Sequence, residues 1–339
     1  MYSYYQNDPQ KNFYTEERDM RLRKKFSRIS LAFVIGVLVT YIAVLLIQLV
    51  VSVFGGAEAI SESIYWQWAI SLLPLYLFGM PAIFLFVWKM DVRTPQNKTL
   101  SLGEFLLLFL IGRFFTLVGT YISNFLVAIS ETITRSPITD TTSELMEVTP
   151  PWLIFIAAVI IAPILEELIY RKLIIDRLYM HGEAVAILFS SFIFALAHGN
   201  LYQVAYAFLN AFILGLIYTR TGRLRYCIAF HMLTNFLGSI LVLPILDAQT
   251  KLQGFISGGE MSSEYIRLSM LVGGYGITKI LLALLGAAVL CFTYKQLVPK
   301  RGAIDPIPRE STLRIVALNP GFIAFLVVSA LEFAMSLFQ

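Results

Sequence analysis

Apolar residues run through this chain in long stretches separated by short polar segments, not in the alternation of a half-buried strand. Uncharged stretches cover 29–54 and 63–88. Segment 105–130 is apolar apart from Arg113, and 148–165 leads directly into Glu166. Segment 184–219 holds one ionisable group, His198, and is long enough for two short spans divided at Gly199-Asn200. Segment 226–246 contains His231, 268–294 contains Lys279 and 315–338 contains Glu332. A membrane-crossing helix needs about 20 mostly apolar residues. The pattern therefore predicts an all-α fold, a polytopic transmembrane bundle of eight or nine helices, nine when 184–219 is divided.

Composition agrees. Hydrophobic residues make up 58% of the 339 and charged residues 14%, against about 45–50% and about 25% in soluble domains. A cytosolic enzyme is excluded, as are collagen-like, disordered and disulfide-scaffold chains, with Gly at 21, Pro at 13 and Cys at 2. Cys227 and Cys291 lie in apolar surroundings and read as small hydrophobes.

The net charge of +4 matters less than its distribution, and no nucleic-acid partner is expected. With the N-terminus inside and nine alternating helices, inside segments carry 21 Lys and Arg and outside loops carry 3. A helix miscounted mid-chain would swap every later loop and destroy that bias. The reading is a multi-pass cell-membrane protein with a cytoplasmic N-terminus and no cleaved signal. Its basic cluster from Arg18 to Arg28 is placed to touch anionic lipid. Four segments are expected: a basic tail at 1–28, transmembrane helices at 29–147, a core at 148–246 and further transmembrane helices at 247–339.

Ionisable groups inside apolar spans cost about 2.5–3.5 kcal/mol each, and this chain gathers most of them in one region. Glu166-Glu167-x-x-x-Arg171 ends the fourth helix, His198 ends the fifth, and His231-x-x-x-Asn235 opens the seventh. Glu167 and Arg171 stand at i,i+4 and can pair along one face, while Glu166 points about 100° away and is left free. His231 and Asn235 share a side of their helix. Glu166 and His198 each lie 16 residues from Gly182, so an antiparallel hairpin turning there puts them at one height. His181, in a polar turn, is expected to be solvated. Arg113 is open to two readings, binding a carboxylate or snorkelling.

These three motifs in this order, together with Phe194 four residues before His198, resemble the CAAX-protease and bacteriocin-processing family of intramembrane proteases. That family is also called the type II CAAX endopeptidase or Abi family. The resemblance covers about 148–240. It implies a helical membrane fold with a cavity toward the cytoplasm. It also implies hydrolysis of a peptide bond in a peptide or lipidated protein substrate, prenylated or bacteriocin-like. Glu166 would be the activating carboxylate, with His198, His231 and Asn235 at the remaining catalytic positions. The short polar N-terminus and the lack of appended domains point to a prokaryotic protein.

In the expected chemistry Glu166 takes a proton from the attacking water. His231 and Asn235 donate to the oxyanion, His198 positions the water or protonates the leaving amine, and Glu167–Arg171 fixes the helix end. The cofactor stays open: either none, or one divalent metal such as zinc held by Glu166, His198 and His231. The competing class is a non-enzymatic transporter or bacteriocin-immunity protein that uses the same cluster to bind a ligand.

Overall fold

The computed structural model describes residues 9–53, 56, 62–258, 262–299 and 303–337. Parts of the expected basic tail (1–8) and of the loop carrying Lys300 and Arg301 lie outside the described residues. The described residues form helices and connecting turns, without strands. In order these are α1 (Pro9–Val53), α2 (Ile64–Val87), α3 (Leu102–Thr134), α4 (Thr141–Val148), α5 (Pro151–His181), α6 (Glu183–Leu196), α7 (Leu201–Thr221), α8 (Leu224–Ser239), α9 (Leu243–Gly258), α10 (Ser263–Leu297), α11 (Thr312–Val316) and α12 (Pro320–Ser336). Among the described residues seven stretches are long and apolar enough to cross a membrane, with α8 and most of α9 forming one of them. The shorter apolar helices α6 and α12 complete nine. The fold class read from the apolar pattern is thus a polytopic helix bundle.

Several boundaries differ from the hydropathy reading. The polar segment before residue 29 is helical from Pro9 onward and continuous with the first span. The polar stretch at 131–147 contains α4, whose N-cap Asp140 accepts from the Ser143 amide. The division at Gly199-Asn200 has a local cause. Gly199 takes a left-handed φ of 57°, and Asn200 caps α7 through Tyr202 N at 2.8 Å.

The chain forms two compact units. One comprises residues 1–91 and 303–331, the other residues 92–302 and 332–339. In the first, Arg18 pairs with Asp305 at 2.7 Å and the Gly321 amide donates to Ser27 Oγ at 2.9 Å. In the second, α3 packs on α7 and α10, and α6 on α7. A side chain at Gly119 would overlap the Tyr206 backbone, and one at Gly286 the Leu110 carbonyl. Small residues let helix backbones approach closely where lipid supplies no hydrophobic drive.

The α5–α6 hairpin positions the site. It turns through Gly182, at φ 134°, where L-residues rarely sit. Beyond the turn, Ser190 Oγ donates to Tyr170 O at 2.5 Å. Asp176, at the base of α5, holds Lys172 at 2.6 Å and accepts from Tyr218 Oη at 2.8 Å. His181, expected to be solvated, is instead buried beside the tight turn, at 4% exposed. With 14 residues, α6 rises about 21 Å, too short to cross an apolar layer of about 30 Å.

Candidate active site

The second unit brings Glu166, Glu167, Arg171 and His231 into direct contact. Glu167 and Arg171 are fully buried, with Arg171 Nε 3.0 Å from Glu167 Oε2. That contact lies off a good hydrogen-bond line, and Nη1 and Nη2 of Arg171 have no hydrogen-bond partner. The attraction is coulombic, supplemented by the Phe194 ring 5.0 Å from the guanidinium carbon.

Glu167 does more than its i,i+4 spacing indicated. Its Oε1 lies 2.9 Å from His231 Nδ1. A carboxylate only accepts, so Nδ1 carries the proton and Nε2 is turned the other way. Nε2 lies 3.7 Å from Glu166 Oε2, beyond a hydrogen bond. Glu166 is partly exposed, at 21% of its side chain, and has no hydrogen-bond partner among the described residues. The two neighbouring carboxylates therefore meet His231 from its two ring nitrogens in different ways.

His198 comes from the end of α6. Its Nδ1 donates to Phe194 O at 2.8 Å, which leaves Nε2 available. Phe194 joins the groups: its ring centroid is 4.7 Å from His198, 5.9 Å from His231 and 4.9 Å from Tyr170, all edge-on. The motif marked Phe194 by position, but its contact with three ionisable side chains comes only from the packing.

Asn235 turns toward α5, where Nδ2 donates to Ala158 O at 2.8 Å. The reason lies in Pro163. Proline has no amide hydrogen, and its ring crowds the preceding turn. The helix widens to i→i+5 bonding over Phe155–Ile161, and the Ala162 amide goes to Ala157 O. The next i→i+5 donor, for Ala158 O, would be the missing amide of Pro163. Asn235 supplies that bond from another helix and keeps a second N–H. One residue earlier, Thr234 Oγ1 accepts from Arg113 Nη2 at 2.8 Å.

The donor chemistry of Glu166, His198 and His231 suits a metal in one respect. Each imidazole has Nδ1 engaged by an acceptor, as outer-shell partners arrange ligating histidines. Among the described residues, however, no three of His, Cys, Asp and Glu converge closely enough to hold an ion. As arranged here, these residues do not assemble as a metal site.

This helical fold, with ionisable groups gathered on α5, α6 and α8, is that of a multi-pass membrane protein. Residues 148–237 match the Rce1-like family, type II CAAX prenyl endopeptidase. Over 208 residues the chain is 28% identical to the membrane-embedded CAAX protease MroQ of Staphylococcus aureus (strain USA300), an alignment covering 58% of this chain and 80% of that one. No solved structure matches the chain. Through this region the chain is similar to type II CAAX endopeptidases, and both matches support a membrane-embedded peptidase.

Proposed function

We propose that Glu166 is the general base of a metal-independent peptide hydrolysis. The observation that carries this is the division of labour between the two carboxylates. Glu167 is fully buried and committed to Arg171 and His231, whereas Glu166 is partly exposed and uncommitted. Glu166 takes a proton from water as the oxygen attacks the scissile carbonyl carbon. His231, its Nδ1 balanced by Glu167, donates from Nε2 to the oxyanion in its imidazolium form, and the second N–H of Asn235 joins it. When the carbon–nitrogen bond breaks, the amine leaves with a proton from Glu166 or from His198. The substrate is a membrane-associated peptide or lipidated protein, prenylated or bacteriocin-like, approached from a cytoplasmic opening.

The test screens short lipidated peptides for cleavage by the full chain and its Glu166→Ala, His198→Ala and His231→Ala variants. Each variant should remain folded and lose about 10²–10⁴-fold in rate, with wild-type activity unchanged by a chelator. Cleavage that persists in Glu166→Ala overturns the assignment. Activity removed by the chelator and restored by zinc overturns metal independence.

A further inference from the structure

We propose that Arg113 and Lys279 form a subsite beside the catalytic helix that binds a carboxylate carried by the peptide substrate. This rests on the peptidase reading above and adds to it what the substrate must carry. Both residues lie within membrane-length helices, Arg113 in α3 and Lys279 in α10. Charges there are costly and ordinarily paired. Among the described residues neither has an acidic partner. Arg113 gives one hydrogen bond to Thr234 and lies 4.6 Å over the Phe109 ring, while its Nε is buried and unbonded. Lys279 lies 5.4 Å over the Tyr275 ring.

The two cations are near each other. Helices α3 and α10 meet closely where Gly286 faces the Leu110 carbonyl. Arg113 follows Leu110 and acts electrostatically on Tyr275 and Lys279, which precede Gly286, so the helices run antiparallel. Arg113 is then about 4.5 Å and Lys279 about 10.5 Å from the crossing on the same side, roughly 6 Å apart along the axis. Two like charges at that spacing repel, so a structural role alone gives no reason for both. An anion arriving with a ligand supplies the missing counter-charge. Arginine offers it a planar fork and lysine a point charge.

Position selects the anion. Thr234 is three residues past His231 on α8, about 4.5 Å along the axis, so a bound carboxylate sits within a few residues of the scissile bond. Arg113 lies about 17 Å from the start of α3 at Leu102, near the middle of an apolar layer of about 30 Å. A lipid headgroup stays at the interface, whereas a peptide in the site brings its own carboxylate to this depth. Lys279 is exposed on α10, which leaves that side open to lateral approach.

The test measures binding to the full chain carrying Glu166→Ala, in phosphatidylcholine nanodiscs. The probe is an N-acylated, fluorescent, apolar pentapeptide in three forms: free C-terminal acid, C-terminal amide, and amide with one internal Glu. The acid or the Glu form should bind about tenfold or more tighter than the plain amide, and which of them does so identifies the source of the carboxylate. The gap should vanish in Arg113→Gln/Lys279→Gln and persist in part in Arg113→Lys. If Arg113→Gln fails to fold, exposed Lys279→Gln alone must narrow the gap. Equal binding of the three forms, or a gap that survives both substitutions, overturns the proposal. So does a gap that phosphatidylglycerol abolishes at constant ionic strength, which would assign the site to lipid phosphate. Cleavage of the same probes by wild type, lost in Glu166→Ala, is read separately. An anion preference without such cleavage leaves the subsite standing and fails the mechanism; cleavage without the preference does the reverse.

Discussion

His231 Nδ1 stands 2.9 Å from Glu167 Oε1, a contact that ties α8 to α5 across 64 residues of sequence. It gives the fully buried Glu167 two cationic or proton-bearing neighbours, Arg171 and His231, and turns His231 Nε2 toward Glu166. The cluster thus separates a carboxylate that organises from a carboxylate that remains available.

That separation predicts opposite responses at adjacent positions. Glu167→Ala strands the buried Arg171 guanidinium and should cost about 3–5 kcal/mol, seen as an earlier unfolding transition in detergent. Glu167→Gln keeps an acceptor for His231 and should lower activity only in part. Glu166→Gln should leave the unfolding transition near wild type while cutting turnover by about 10²–10⁴. Turnover abolished by Glu167→Gln but not by Glu166→Gln would reverse the two roles.

Asn235 should show a mixed phenotype. Its amide satisfies Ala158 O, the carbonyl that Pro163 leaves without a donor. Asn235→Ala should therefore cost about 1–3 kcal/mol of stability, together with a milder rate loss than His231→Ala. Hydrogen exchange in the Phe155–Ile161 segment should rise in the same variant. Unchanged exchange there would show that the side chain does not support this turn.

Helix contact in the second unit can be probed at two glycines of α10. Gly286→Ala pushes a methyl group into the Leu110 carbonyl and should lower the unfolding temperature. At Gly273 nothing lies within 4 Å of an added Cβ. Gly273→Ala should be neutral, or stabilising by up to about 1 kcal/mol from helix propensity. Equal effects at the two sites would contradict the α3–α10 contact.

Topology is checked by labelling single cysteines in a Cys291→Ser, Cys227→Ser background, or with both cysteines retained if Cys227→Ser, which alters a buried residue, unfolds the protein. A membrane-impermeant thiol reagent added to intact cells should label Lys251→Cys and spare Arg309→Cys. The charge bias that places Lys251 outside and Arg309 inside predicts this order, and the reverse pattern would invert the helix assignment.

Much of this protein is legible along the chain. Nine apolar runs, the break at Gly199-Asn200 and the i,i+4 pairing of Glu167 with Arg171 depend on residues close in sequence, where helical periodicity decides what can touch. The three motifs also marked side chains that meet in the folded chain. Their partners on other helices were not legible. Asn235 reaching Ala158, His231 reaching Glu167 and Arg113 reaching Thr234 join residues 77, 64 and 121 positions apart. The burial of His181 has the same origin, since a polar turn is exposed only if nothing folds over it. Such contacts follow from how ridges and small residues set the crossing and rotation of packed helices. That is a property of facing surfaces, which no single helix's periodicity contains.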